Sequence, residues 1–97
     1  MSDSMSSQDN VAELLPVPML DMHRAIVSLR EELQAIDDYN QRAELCDDAE
    51  LKAVIRHNRK EEKEHAAMLV EWIRRHDPEF STKLKGILFS EGTTVRD

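Results

Sequence analysis

The sequence predicts an all-α fold, in which an antiparallel two-helix hairpin is followed by a short third helix. Apolar residues recur at spacings of three and four over two segments of roughly 25 residues, as in helices that bury one stripe. Only two glycines occur among the 97 residues, and the turn-like stretch LCDD separates the two segments. A chain this short buries a small core, so we expect help from a partner chain or a metal ion.

The first helix is expected to run from about Met19 to Glu44. Its apolar stripe consists of Met22, Ile26, Leu29, Leu33 and Ile36. Two prolines in the preceding stretch LLPVPML disfavour a regular helix through that point. The chain before it is polar and poor in aromatic residues, so we expect residues 1–18 to form a disordered tail.

The second helix is expected to begin at Asp47. Glu50 follows it three positions later, which is the spacing of a capping box. The helix should end at RRHDP, because basic residues suit the negative end of a helix and Pro78 cannot continue it.

The third helix should start at Asp77 and Pro78, which have the character of an N-cap and a first helical residue. Gly92 is expected to end it. These boundaries predict a helical domain over residues 19–92 and a flexible C-terminal end over residues 93–97.

Composition excludes several classes of function. Lys and Arg number 13 against 20 Asp and Glu, and the formal charge of −7 disfavours binding to nucleic acid. The single cysteine, Cys46, excludes an intrachain disulfide and a metal cage built from thiolates of one chain. Without a secretory signal or a long apolar run, we expect a soluble cytoplasmic protein that does not enter a membrane.

Polar residues interrupt the inward stripes of both long helices. The stripe of the second helix is interrupted by Asn58, Glu62 and His65; its members in order are Leu51, Ile55, Asn58, Glu62, His65, Leu69, Trp72 and His76. On the first helix Glu32 interrupts the stripe formed by Met22, Ala25, Leu29, Ile36 and Tyr39. In an antiparallel hairpin that turns near residues 46–47, residues at equal height have numbers that sum to about 94. Glu32 and Glu62 meet this condition, and His65 lies about one turn away on the same face.

Glu32 together with Glu62-x-x-His65 is half of the ligand set of di-iron and di-manganese carboxylate bundles. Two hairpins related by a two-fold axis would complete four helices and six ligands. Carboxylates with one imidazole per metal favour iron or manganese over a thiolate-type zinc site. The sequence therefore predicts a metal site that is shared between two subunits.

Two alternatives remain open. The stretch KEEKEH is typical of a solvated charged face, and the chain would then be a structural helical hairpin that dimerises, with Glu62 and His65 in buried hydrogen bonds. A di-manganese or peroxidase-like activity on the same ligands is the nearer alternative. His23, His57 and His76 are interpreted as surface or helix-end histidines.

The stretches HRAIVSLREELQAIDDYNQR, HNRKEEKEHAAMLVEWIRRHD and LFSEG resemble the encapsulated ferritin family, the ferritin-like cargo proteins of encapsulin nanocompartments. The resemblance covers about residues 20–92. It implies a two-helix subunit with a short C-terminal helix, which dimerises into a ferritin-like four-helix bundle and assembles into an annular homodecamer of dimers.

The resemblance also implies the activity and the site. Residues that match Glu32, Glu62 and His65 form a di-iron ferroxidase centre, at which O₂ oxidises Fe²⁺ to Fe³⁺. Tyr39 would lie beside this catalytic centre, and Glu31 would belong to a more exposed site that attracts metal ions. The iron mineral would be stored inside the shell of an encapsulin nanocompartment in the cytoplasm.

The sequence departs from the family pattern at two positions and at its end. Gln34 and Asp38 stand where the family often has Glu and Trp, so the exposed metal-attracting site is expected to behave differently. Family members usually end in an encapsulin-targeting peptide, and none is recognised before Asp97. We therefore expect either a longer natural chain or loading into the shell by another route.

Overall fold

The computed structural model describes residues 14–96 and contains three helices and no β-strand within that range. Helix α1 covers Val17–Leu45, α2 covers Ala49–His76 and α3 covers Pro78–Ile87. The helices α1 and α2 pack along each other as an antiparallel hairpin, and α3 packs on α2. The predicted all-α class and the order of its elements are therefore confirmed.

Helix α1 begins slightly earlier than the sequence predicted. It starts at Val17 and includes Pro18 in its first turn. A proline is tolerated there because the first amides of a helix have no partner within it, and the amide of Leu20 already donates to the carbonyl of Pro16 at 2.9 Å. Residues 1–13 of the predicted tail lie outside the described part of the chain.

The cap of α2 differs by one residue from the prediction. Asp48, not Asp47, is the N-cap, and its carboxylate accepts a hydrogen bond of 2.8 Å from the amide of Leu51. Asp48 immediately precedes the first helical residue, so the amide of Leu51 is at the N3 position, which an N-cap side chain can reach. Glu50 still lies in the first turn, where the helix dipole favours a negative charge.

Helix α3 begins as predicted and ends earlier. Asp77 caps it by accepting a hydrogen bond of 2.9 Å from the amide of Phe80, and Pro78 occupies the first turn. The helix ends at Ile87 rather than near Gly92. Leu88 follows the last helical residue, and its amide donates a hydrogen bond of 2.8 Å to the carbonyl of Leu84.

The core of the single chain is small. Its buried apolar residues within the described range are Ala25, Val27, Ala43, Ala66 and Ile73. Most of these residues are small, so burial alone stabilises the isolated hairpin only weakly. Larger apolar side chains on both long helices stay about half exposed, such as Leu33 at 53% and Met68 at 58%. Among the helices of residues 14–96, none combines the length and apolar character needed to cross a bilayer.

Candidate metal centre

Glu32 on α1 meets Glu62 and His65 on α2. The Nδ1 atom of His65 lies 3.6 Å from Oε2 of Glu32 and 3.7 Å from Oε1 of Glu62. One ligand atom from each residue lies within 4.8 Å of the other two. The register of the hairpin therefore brings together the three residues that the sequence singled out.

This metal-ligand cluster, defined as Glu32, Glu62 and His65, lies at the edge of the contact between α1 and α2. The buried positions of α2 are Ala66 and Ile73. Ala66 follows His65 directly, so the line of closest contact is rotated by one residue, about 100°, away from the imidazole. His65 is consequently 44% exposed, whereas the side chains of Glu32 and Glu62 are 24% and 23% exposed. The cluster is open on the side of the imidazole.

The electrostatics of the cluster are unfavourable without a cation. A hydrogen bond shared with the Glu62 carboxyl raises the pKa of Glu32 above its usual 4.5, and burial and the Glu62 charge raise it further, against an opposing effect of His65. The Oε2 atom of Glu32 is buried and has no hydrogen-bond partner. Two adjacent carboxyl groups, of which one buried oxygen has no hydrogen-bond partner, form a site that a divalent cation would stabilise.

The chemistry of the donors fits iron or manganese. Carboxylate oxygens and a single imidazole are hard to borderline ligands, and no thiolate takes part. Cys46 lies in the turn between α1 and α2, where its Sγ atom is 3.5 Å from the carbonyl of Asp48. Three protein ligands are fewer than the six of an octahedral metal, so the set needs further ligands from water or a second chain.

Two further residues named from the sequence lie outside the cluster. Tyr39 is half-buried, and the guanidinium carbon of Arg42 lies 5.8 Å from the centre of its ring. Glu31 is exposed on α1, and the predicted outer metal site around it stays a prediction. The two positions that depart from the family pattern pair with each other, because the amide of Gln34 donates to Asp38 at 3.0 Å.

The other histidines have local environments unlike that of His65. Nε2 of His57 lies 3.3 Å from Glu61 on an exposed part of α2. The ring of His76 stacks on Trp72 with 3.9 Å between ring centres, and its Nδ1 is 2.7 Å from the carbonyl of Trp72. His23 is partly buried, and its Nε2 atom has no hydrogen-bond partner. None of these belongs to a group of three potential ligands within residues 14–96.

Small residues that hold the two helices close together were missed by the sequence reasoning. Ala43 and Ala66 are buried in the hairpin, and alanine at such positions lets two helices approach closely. The hydrogen bond of 3.0 Å from Arg59 to Asn40, which joins α2 to α1 near the turn, was also missed. Alanine carries little weight in an apolar periodicity, so only a pairwise comparison of both helices would have found these positions.

Comparison with known proteins places this geometry in a family. The EncFtn-like family matches residues 7–91, which include the whole metal-ligand cluster. The chain belongs to the EncFtn-like family. It is 48% identical over 92 residues to the encapsulated ferritin-like protein of Rhodospirillum rubrum, covering 95% of this chain and 66% of that protein.

Two other curated relatives share the EncFtn-like region. A ferritin-like protein of Thermotoga maritima is 44% identical over 71 residues, which cover 73% of this chain and 62% of that protein. The encapsulin nanocompartment cargo protein EncC of Myxococcus xanthus is 37% identical over 75 residues, which cover 74% and 58%. The matched region thus spans between 58% and 66% of the length of these three relatives.

A solved structure has a similar arrangement of helices. The crystal structure of a protein from Nitrosomonas europaea superposes with a TM-score of 0.81 at 60% sequence identity. The match covers 84% of this chain and 90% of that chain. The agreement supports the hairpin and the third helix as one shared fold.

Proposed function

We propose that this EncFtn-like chain is a ferroxidase, which oxidises Fe²⁺ to Fe³⁺ with O₂ at a centre shared between two subunits. The observation that carries the proposal is the convergence of Glu32, Glu62 and His65 within 4.8 Å, with one buried carboxylate oxygen left unpartnered. The relatives named as ferritin-like support iron as the metal. In this proposal Fe²⁺ is the substrate and O₂ is its oxidant.

The three side chains have distinct tasks in this proposal. Glu32 and Glu62 bind Fe²⁺ and stabilise the higher charge of Fe³⁺ more strongly than that of Fe²⁺, which favours oxidation. The Nδ1 atom of His65 faces both carboxylates, so this nitrogen would be the third ligand atom at the same point. Two Fe²⁺ ions supply one electron each to O₂, which takes up two protons from solvent and leaves as hydrogen peroxide, so that 2 Fe²⁺ + O₂ + 2 H⁺ gives 2 Fe³⁺ + H₂O₂.

A second copy of the chain would complete the site. Two hairpins related by a two-fold axis supply six ligands in a four-helix bundle, which is the arrangement of di-iron carboxylate proteins. The exposed apolar residues Val54 and Met68 support this pairing. Val54 lies eleven residues, about three turns, before His65, so both occupy the same side of α2. Apolar side chains beside an open, polar site are typical of a subunit interface. We propose a dimer as the unit of a homodecamer.

Tyr39 and Glu31 are assigned supporting roles. The hydroxyl of Tyr39, on the Glu32 stripe of α1, is proposed to donate a hydrogen bond near the centre. Glu31 is exposed, and its carboxylate is proposed to attract Fe²⁺ toward the site before the metal-ligand cluster binds it. Gln34 carries a neutral amide where the family often has a carboxylate, so fewer negative charges surround Glu31 and this outer site should bind metal weakly.

The cellular setting is proposed from the relatives. One is named an encapsulated ferritin-like protein, and another is named an encapsulin nanocompartment cargo protein. We infer that this chain works in the cytoplasm inside an encapsulin shell, where the oxidised iron is stored as mineral. A structural hairpin and a di-manganese protein are the competing assignments.

The test compares two neighbouring glutamates of α2. Glu62→Gln should lower the initial rate of Fe²⁺ oxidation, followed by ferric absorbance and O₂ consumption, by more than about 100-fold, since losses of residues that only support a ligand already cost 10- to 100-fold. Glu61→Gln, which makes the same change of charge at an exposed position, should leave the rate unchanged. Equal rates of Fe²⁺ oxidation in both variants would favour a structural hairpin. A protein that is inactive with Fe²⁺ alone and becomes active when Mn²⁺ is added would favour the di-manganese alternative.

A further inference from the structure

The last turns of α1 carry a contact that the proposed function does not use. The guanidinium carbon of Arg42 lies 5.8 Å from the centre of the Tyr39 ring. This distance is within the range of about 6 Å over which a cation is attracted to the face of an aromatic ring. Tyr39 is the only tyrosine of the chain, and its side chain is half-buried while Arg42 is exposed.

Tyr39 lies on the same side of α1 as the metal-ligand cluster. It follows Glu32 by seven residues, about two turns, which places it about 10 Å farther along the helix toward the turn. Arg42 follows Tyr39 by three residues, and its guanidinium lies over the ring. The half-buried ring therefore has a guanidinium group over its face.

The backbone of this segment is fixed independently of Arg42. Ala43 is 3% exposed, and the hydrogen bond from Arg59 to Asn40 ties the segment to α2. Loss of the Arg42 guanidinium should therefore leave the helix in place and release mainly the side-chain torsions of Tyr39. A change in the tyrosine signal can then be assigned to its ring.

We propose that Arg42 is a positioning residue, which holds the Tyr39 side chain in its half-buried orientation on the side of α1 that carries the proposed iron site. The proposal rests on the proposed ferroxidase function for its effect on rate, but not for its effect on the ring. A plainer role for Arg42 is to favour the negative end of α1, where it is the basic residue of the last turn. That plainer role acts on the helix with or without a ring at position 39.

The test uses the full chain with Arg42→Met, Arg42→Lys, Tyr39→Phe and the double variant. Arg24→Met is the control, because Arg24 lies 3.7 Å from Asp21 on the exposed surface of α1. Ultraviolet resonance Raman spectra of the metal-free protein report the environment of the sole tyrosine. Arg42→Met should shift the tyrosine bands, whereas Arg42→Lys and Arg24→Met should keep them.

The same variants should separate positioning from helix stability in the oxidation assay. Arg42→Met should lower the rate constant about two- to five-fold at unchanged affinity for Fe²⁺, the factor equivalent to an exposed cation–π contact. Arg42→Lys should retain the rate, and the double variant should match Tyr39→Phe alone. Unchanged tyrosine bands in Arg42→Met, or an equal loss of rate from Arg42→Met with and without the ring, would overturn the proposal. Absence of oxidation in the wild type would overturn the ferroxidase function instead, because the Raman result is independent of iron.

Discussion

The Nδ1 atom of His65 lies 3.6 Å from the Oε2 atom of Glu32, across the interface between α2 and α1. This distance is too long for a hydrogen bond, and Glu62 lies at a similar distance from the same imidazole nitrogen. The imidazole thus faces both carboxyl groups without forming a hydrogen bond to either. Such an arrangement costs stability in the free chain and is compensated when a cation binds.

The first prediction is that Glu32→Gln stabilises the metal-free chain. The raised pKa of Glu32 means that folding favours its protonated form, so the cost of the carboxylate is absent below about pH 4.5 and grows as the pH rises through the folded-state pKa. The neutral amide removes this cost and should raise the free energy of unfolding by about 1 kcal/mol at pH 7. Chemical denaturation in the presence of a chelator measures the effect.

The same variant should lose metal-dependent stabilisation. Added Fe²⁺ under anaerobic conditions should raise the melting temperature of the wild type and leave that of Glu32→Gln unchanged. If Glu32→Gln is less stable than the wild type in chelator at pH 7, the Glu32 carboxylate does not destabilise the metal-free chain. That result would contradict the prediction.

The second prediction concerns the cap of α2. Asp48→Ala should destabilise the chain by about 1 kcal/mol, because the amide of Leu51 loses the carboxylate that accepts its hydrogen bond. Asp47→Ala removes an identical side chain one residue earlier and should change stability by no more than about 0.5 kcal/mol. Thermal unfolding followed by circular dichroism compares the two. A larger loss from Asp47→Ala would restore the cap assignment that the sequence first suggested.

The axial register of the hairpin could be predicted from the sequence, whereas the rotation of its helices could not. The rise per residue is fixed by backbone geometry, so the position of one turn determines that Glu32 and Glu62 lie level. Rotation depends on which side chains allow the closest approach, and here Ala66 and Ile73 are buried while the larger Trp72 is only half-buried. Apolar periodicity gives tryptophan more weight than alanine. It therefore predicts a buried stripe through His65 and Trp72, one residue before the stripe through Ala66 and Ile73 that is buried in the structure.

Some positions expected to face inward are exposed for the same reason. Asn58 and Leu51 belong to the predicted inward stripe of α2, yet both are exposed in the single chain, with Leu51 at 51%. A stripe read from one sequence includes surfaces that pack against α1 and surfaces that would pack against another chain. Apolar periodicity gives both kinds of surface the same weight. The sequence alone therefore could not tell the contact with α1 from a contact with another chain.

The third prediction is a pH dependence of the link between α2 and α3. Glu71 accepts hydrogen bonds of 2.7 Å from Arg74 and Arg75, and Arg74 also donates to Ser81 of α3 at 3.3 Å. The two guanidinium groups lower the pKa of Glu71 to about 2. Because the pKa is lowered, the stabilising effect is complete above about pH 4.5 and is lost as the pH falls toward 2.

Denaturation of Glu71→Gln across this range tests the link. The variant should be less stable than the wild type at pH 7, and the difference should shrink between pH 4.5 and 2. Glu64→Gln, at an exposed position on the same helix, is the control and should show no such convergence. A constant difference over the whole range would mean that the charge of Glu71 does not contribute.

The fourth prediction tests the proposed subunit contact. Met68→Glu places a charge on the open side of α2 near His65, where the native side chain is 58% exposed. If this surface pairs with a second copy, burial of the new carboxylate should weaken self-association by at least about tenfold. Val95→Glu adds the same charge at an exposed C-terminal position and should not. Sedimentation velocity over a concentration series compares the variants, and equal dissociation constants would exclude this surface from the interface.

The central claim is that two chains share one site for iron and oxidise it there. Native mass spectrometry of the purified chain, recorded after anaerobic addition of Fe²⁺ and again after admission of air, tests it most directly. We predict bound iron approaching one ion per chain, found only in assemblies with an even number of chains, and its oxidation on exposure to O₂. Failure to bind iron, with assembly the same before and after its addition, would contradict the claim and assign Glu32, Glu62 and His65 to a structural role.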